Sequence, residues 1–492
     1  MPNGTLSPDH RAIARRAMLD AGLDPDISPP ALREASTADM DLALAAAGPS
    51  IRDARALLWS SIDNSESLDL DQVEYAERLP GGRVRLLIGI ADVDALVPKG
   101  SAVDRQAFVN TVSVYTPALT FPMLPGRLSH DLTSLLENAD RLAVVIDLTV
   151  TDAGEVSLRE VYRALVRNRA KLTYEEVGGW LEGHTPVPPS VAQVAGLEDQ
   201  LRLQQETSGR LRARRKKNGA LELETVEAVA VVTGEKVIGL EVRKHNPAQD
   251  VIESFMIAAN TAMAEFLESS GVFSLRRVVS TPERWSRIVE IAESFGARLP
   301  ATPDSRALSE FMSRRRLADP ARYPELSLSV LKMLGSGEYK VEAPGLNQGG
   351  HFGLAVNDYT HSTAPNRRYP DLVTQRCVKA LIAGGDSPYT KDELEQIAVK
   401  CNRMESAARK VERTTRKAAA AALLSGYTGE TFDGIVTGVK EKGTFVRLLS
   451  PPAEGRIVRG EAGLDVGDKV RVRLLATDPE RGFIDFAFVG RV

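Results

Sequence analysis

The sequence predicts a multidomain α+β protein made of a small helical N-terminal module, a mixed α+β central domain and a C-terminal β-barrel of the OB type. Three observations carry that expectation. The 492 residues exceed what one hydrophobic core organises. The central region alternates apolar, β-branched runs with long stretches of helical spacing. The last 65 residues contain five short strand patterns separated by Gly and Asp-Pro turns, which suits a small closed barrel.

The N-terminal module, residues 1–49, reads as three short helices. In "LSPDHRAIARRAMLDAGL", Ser7 is placed to cap the first helix, Pro8 to open it and Gly22 to close it. "SPPALREA" repeats the start signal, and "TADMDLALAAAG" ends at Gly48. Such a trio can form a helix-turn-helix-like unit or a helical cap on the next domain. The central domain, residues 50–425, opens with strands: "VEYAERLPGGRVRLLIGI" reads as a hairpin, and "RLAVVIDLTV" as a further strand. "EGHTPVPPS" is a loop followed by a polar helix. "DVIESFMIAANTAMAEFLES" has the apolar spacing of a buried helix, and a long helix beginning "KDELEQIAVK" stops at Gly426. The barrel takes residues 428–492.

Composition narrows the function classes. Cys377 and Cys401 are the two cysteines, so there is no disulfide framework, and a reducing, cytoplasmic setting is expected. No apolar stretch is long enough for a membrane span, and the N-terminus lacks the layout of a signal peptide. Net charge is −4, yet cations cluster locally. "GRLRARRKKNG" holds Arg210, Arg212, Arg214, Arg215, Lys216 and Lys217, and "RKVERTTRK" holds five more. Each run is either a solvated helix face or part of a groove for a polyanion.

The stretch "SSIDNSESLDLDQ" packs Asp63, Asp69 and Asp71 into nine residues. Crowded carboxylates need a cation, water or a proton to relieve them. Asp63, Ser65, Ser67, Asp69, Asp71 and Glu74 have EF-hand spacing, but Leu68 stands where that loop needs glycine, and a strand follows instead of a helix. Oxygen-only ligands on a short loop suit Mg²⁺, and a phosphodiester site also needs a cation for the phosphate charge and flat side chains for unpaired bases.

"SIDNSESLDLDQ", "YTPALTFPMLPGRLSHDLTSL", "RAKLTYEEV", "VIESFMIAAN" and "HFGLAVNDYTHSTAPNRRYPDL" together closely resemble the catalytic (RNB) domain of the RNase II/RNase R family, in that family's order. The terminal barrel, with "GIVTGVKEKGTFVRL", resembles an S1 RNA-binding domain. The resemblance implies a processive 3′-to-5′ exoribonuclease that uses Mg²⁺, with Mn²⁺ as a substitute, to hydrolyse single-stranded RNA to nucleoside 5′-monophosphates through two metal ions. It implies a protein that acts as a monomer and away from membranes. Asp63, Asp69 and Asp71 match the family's metal cluster, Asp69 and Asp71 also acting in catalysis. Arg367 matches the arginine at the scissile phosphate, with Arg368 beside it on the RNA. Tyr115 matches a base-stacking aromatic, and Tyr174 and Glu253 match contacts to the terminal nucleotide and its ribose.

Two positions depart from the pattern. Gln72 replaces a fourth aspartate, offering an amide oxygen without charge, and Leu223 replaces a second stacking aromatic. These losses leave open an alternative, an RNA-binding protein with weakened catalysis. Glu66 and Glu74 are nearby carboxylates that can compensate. The N-terminal module is also too short for the cold-shock-type domains common in the family. In the barrel, Phe432 and Phe445 fall on strands that present stacking platforms, near Lys440 and Lys442, and Phe445 is the one expected to face RNA.

Overall fold

The computed structural model describes residues 9–492 apart from 49, 226, 234–235, 244, 283, 321, 347–348 and 441–442. Ser7 and Pro8 therefore lie outside the described residues. The first helix, α1 (His10–Asp20), is capped by Asp9, whose carboxylate accepts the N–H groups of Arg11 and Ala12 at 3.0 Å each. α2 (Pro29–Ser36) and α3 (Met40–Ala47) follow. Ala14, Met18 and Leu23 bury themselves against Met404, Ala408 and Val411 of the last long helix, so α1 packs as a cap on the central domain.

The centre is built on a sheet of β1 (Arg52–Asp53), β2 (Trp59–Asp63), β3 (Gln72–Arg78), β4 (Val84–Ala91), β7 (Asp140–Val150) and β8 (Val156–Thr173). β8 is long enough to serve two partners. Its first part pairs antiparallel with β7 and its end pairs parallel with β2, so the ladder β2-β3-β4-β7-β8 closes on itself. Alternate β8 residues from Tyr162 to Leu172 are buried, as a strand with one packed face requires. The tight β3–β4 hairpin turns through Gly81 and Gly82, both at positive φ. Between β4 and β7 lie α4 (Ala102–Asn110) and the short pair β5 (Val114–Tyr115) and β6 (Thr120–Phe121).

α5 (Tyr174–Leu181) starts where β8 ends, and α6 (Pro189–Ala192) leads into α7 (Leu197–Asn218). The hairpin β9 (Glu227–Thr233) and β10 (Lys236–Arg243) precedes α8 (Pro247–Ser269), which opens with Asn246 and Gln249 capping each other. Then come β11 (Ser274–Val278), α9 (Trp285–Ser294), α10 (Ser305–Ala318), α11 (Tyr323–Leu334), β12 (Glu338–Glu342), α12 (Tyr369–Ile382) and α13 (Lys391–Leu424). The C-terminal strands β13 (Thr431–Lys440), β14 (Gly443–Leu448), β15 (Glu454–Arg459), β16 (Lys469–Asp478) and β17 (Phe483–Arg491) form the closed barrel expected of an OB fold. Its core includes Ala420, Ala421 and Leu424, so α13 ends inside the barrel's own packing. A buried ion pair between Arg447 of β14 and Glu325 of α11 makes a second tie.

Candidate active site

The aspartate loop is suspended between two strands. Asp63 is the last residue of β2, paired with Thr173 of β8, and the chain re-enters the sheet at Gln72. The loop has a fixed shape because its backbone is anchored from outside. Ser134 donates its Oγ–H to the carbonyl of Leu68 (2.7 Å) and accepts the N–H of Leu70 (3.0 Å). Lys171 Nζ donates to the carbonyl of Ser67 at 2.7 Å. A strand follows the loop, so the architecture is not an EF-hand.

The second arm is the segment before α12. Asp371, fully buried, accepts the backbone N–H groups of Thr363 and Ala364 at 2.9 Å each, which curls "HSTAPNRRYPD" into a fixed loop. Asn366 is anchored by Thr133, whose Oγ1–H donates to its side-chain oxygen at 2.6 Å. The two neighbouring arginines then go separate ways. Arg367 reaches Asp71, its Nε donating to Oδ2 at 3.2 Å, and its side chain stays 44% exposed, open to a ligand. Arg368 turns back and donates from Nη2 to Asp371 Oδ1 at 2.7 Å. The structure thus places Arg367 at the aspartates and Arg368 in the loop that positions it.

Asp71 is 1% exposed and also accepts the N–H of Asn366 at 3.0 Å. Burial pushes its carboxyl up to about 7, with Asp69 adding to the rise and Arg367 opposing it. Burial raises the Asp63 carboxyl as well, against the N–H of Asn64 and the charge of Arg367. Asp69 accepts the hydroxyl of Tyr115 at 3.0 Å. Tyr115, 40% exposed, combines a ring face open to solvent with a hydroxyl on the carboxylate cluster. Gln72 is 7% exposed on the buried end of β3.

The stability consequence follows from the sign of the Asp71 shift. Its folded value lies above the ordinary 3.8, so the folded chain keeps a proton that the unfolded chain releases. The contribution is therefore full below about pH 4 and is lost as pH rises through 7. In EDTA, unfolding stability should fall by on the order of 4 kcal/mol from this group between those limits. Denaturant titrations at pH 5 and pH 8 check this, and Asp71→Asn should flatten the slope.

A cavity of about 810 Å³ opens beside the loop, lined by Asn64, Tyr174, Arg215, Leu223, His245 and Glu253 among others. Tyr174 begins α5, where burial first, then Asp63 and Glu74, raise its phenol above the usual range. Glu253 is exposed on α8, and Leu223 contributes apolar wall. His245, Asp250 and Glu253 offer ligand atoms within 4.8 Å of one another. Asp250 is already engaged by His245 at 2.7 Å and by Arg212, so this trio serves as a polar network of the wall. The basic run of α7 is largely neutralised in the same way: Arg210 pairs with Glu206 and Asp152, Arg214 with Glu155, Lys216 with Glu222.

The donor set fits a hard divalent cation. Asp63, Asp69 and Asp71 are carboxylates, Gln72 offers an amide oxygen, and Glu74 just behind them keeps two buried oxygens without a hydrogen-bond partner. Sequence reasoning missed Asn366 and Asp371, although both sit inside the "NRRYPD" run that it singled out. In the barrel, Phe445 lies on the outward face of β14, alternating with buried Thr444, Val446 and Leu448, and pairs across strands with exposed Arg456. Phe432 packs partly against the barrel core. Lys442 and the side chain of Lys440 lie outside the described residues.

Residues 51–384 match the RNB domain, and residues 430–489 match the RNase II-type exonuclease C-terminal S1 domain. Ribonuclease R 1 of Lactococcus lactis is 29% identical over 462 residues, covering 87% of this chain and 55% of the relative. The chain thus spans little more than half the length of that relative. Among solved structures, Mycoplasma genitalium RNase R in complex with ribose-methylated single-stranded RNA superposes with a TM-score of 0.87 at 24% identity, over 98% of this chain and 78% of that one. Yeast Ssd1, a pseudonuclease, shares the fold at a TM-score of 0.67 and 19% identity, over 87% of this chain and 52% of its own. With the RNB profile covering well over half of its residues and an RNase II-type S1 barrel behind it, the chain belongs to the RNB-domain family.

Proposed function

We propose that the chain is a processive 3′-to-5′ exoribonuclease that hydrolyses single-stranded RNA to nucleoside 5′-monophosphates. The observation that carries this reading is the pairing of Arg367 with Asp71 in the loop that also bears Asp63 and Asp69, beside a large cavity that Asn64 of the same loop lines. Bound Mg²⁺, or Mn²⁺ in its stead, held by Asp63, Asp69, Asp71 and Gln72, would supply an activated water and neutralise charge at the leaving oxygen. Arg367 meets the charge that builds on the phosphate, because a planar guanidinium can grip two of its oxygens. Tyr115 offers its ring to the bases near the 3′ end. Tyr174 and Glu253 face the terminal nucleotide, where a contact to the 2′-hydroxyl separates RNA from DNA. Arg368 supports RNA binding through the Asp371 loop. The working unit is residues 50–425, with 1–49 as a helical addition and 428–492 as the RNA-binding barrel; the chain acts as a monomer in the cytoplasm. No helix among the described residues is long and apolar enough to cross a membrane.

Incubation of 5′-labelled oligo(A) with Mg²⁺ tests the activity. A ladder of shortened 5′ fragments with released mononucleotides, absent in EDTA, is the expected result. Intact RNA that still shifts on a native gel would favour a second reading, an RNA-binding protein with weakened catalysis. Gln72 and Leu223 are the features on its side, and a pseudonuclease shares the fold. In the barrel, Phe445→Ala should weaken RNA binding by roughly 5- to 150-fold, the range of a lost base–aromatic stack, as measured by filter binding.

A further inference from the structure

Glu74 lies in the middle of the ligand-bearing strand and is 0% exposed, with neither carboxylate oxygen reached by a hydrogen-bond donor among the described residues. A carboxyl group left this way is costly, because its hydration is lost and nothing replaces it. Such groups call for a cause, a bound ion among them. Its position indicates one. In a strand, residues 72 and 74 share a face, so Glu74 stands directly behind Gln72 on β3. Asp63 is the charge that bears on it, and Glu74 acts in turn on Tyr174 at the cavity wall. The carboxylate is one methylene longer than an aspartate, which suits a ligand set one step further from the loop.

We propose that Glu74 supplies the divalent-cation site with the negative charge that Gln72 does not, either as a direct ligand or by orienting the amide of Gln72 toward the ion. The proposal rests on the reading of the aspartate loop as a cation site. Asp69 and Asp71 are already engaged by Tyr115 and Arg367, and Asp63 by the backbone of Asn64, whereas Glu74 brings a carboxylate with no hydrogen-bond partner among the described residues. The ordinary alternative is a neutral acid that fills polar space facing Ser60 of β2, whose hydroxyl is also buried and unpartnered.

The test measures Mn²⁺ binding to the full chain without RNA, by electron paramagnetic resonance of free Mn²⁺. Glu74→Gln keeps the shape and removes the charge, and should weaken Mn²⁺ about 10- to 100-fold. Thermal unfolding in EDTA should stay at or above that of the wild type, since a buried acid has been removed. Gln72→Asp introduced into the Glu74→Gln background should recover most of the lost affinity. Mn²⁺ affinity within twofold of wild type in folded Glu74→Gln would overturn the proposal. If Glu74→Gln does not fold, Glu74→Leu, which suits the apolar surroundings, is read by the same criterion. A wild-type chain that binds Mn²⁺ through Glu74 but leaves RNA intact would sink the exonuclease reading alone. Hydrolysis in the wild type with Mn²⁺ binding indifferent to Glu74 would sink this proposal alone, and a wild type that binds no Mn²⁺ would sink both.

Discussion

Replacing Asp71 with asparagine should reduce RNA hydrolysis by about 10³-fold or more while leaving RNA binding within a few-fold of wild type. Asparagine keeps an oxygen for the N–H of Asn366 but takes away the charge that faces Arg367 and the cation site. Loss of one such charge at a phosphoryl centre is worth several kcal/mol in the transition state, and about 4 kcal/mol corresponds to a thousandfold in rate. The loss should appear in kcat, with KM nearly unchanged, because on the proposed reading Asp71 acts through the cation at the scissile phosphate and not on the rest of the RNA. Single-turnover hydrolysis of labelled oligo(A), with a native-gel shift on the same preparation, separates the two effects. A rate within tenfold of wild type would place the catalytic carboxylates elsewhere. The variant should fold, since a neutral group at this buried site relieves a charge that burial disfavours.

Arg367→Lys should lower turnover by roughly 10²- to 10³-fold, the usual consequence of losing one well-placed donor to a developing negative charge. Lysine retains the charge but not the fork that spans two phosphate oxygens. The matching change at the next residue should look different. Arg368→Lys disturbs a hydrogen bond to buried Asp371, on which the loop's backbone also depends. Its main effect should be a lower melting temperature, with a smaller loss of turnover in the protein that remains folded. Equal kinetic defects in the two variants would mean that both guanidiniums meet the phosphate, against the geometry seen here.

That contrast also marks where sequence reasoning stops. "NRRYP" presents two arginines with the same local chemistry. The hydrogen bonds that Asp371 accepts from residues 363, 364 and 368 decide which one faces the aspartates. The barrel was legible because turn residues punctuate its strands, and the β3–β4 hairpin because "PGG" does the same. β8 was not, since "VSLREVYRALVRNRAKLT" mixes charges with apolar residues and becomes a strand through its pairing with two partners. The basic run of α7 read as a solvated helix face or part of a polyanion groove, and its partners Asp152, Glu155 and Asp250, which neutralise much of it, come from distant segments. Glu74 was visible as a carboxylate near the loop. Its burial without a partner depends on what folds over β3, which local sequence does not encode.

The 34-residue helix α13 extends roughly 50 Å. Along that length it is fastened at one station to α1 through Met404, Ala408 and Val411, and at its end to the barrel through Ala420, Ala421 and Leu424. Mechanically it is a strut shared by three bodies. On the proposed reading, an enzyme that reels in a strand pulls against whatever grips the strand upstream, and the barrel would be that grip. The recoil of each step would therefore run along one continuous rod of hydrogen bonds, with the Arg447–Glu325 tie as a side brace against bending. Glycine in place of the exposed Ser406 and Lys410 would slacken that rod while keeping the register that seats Met404, Ala408 and Val411, and on the proposed exonuclease reading the length of RNA consumed per encounter should shorten accordingly.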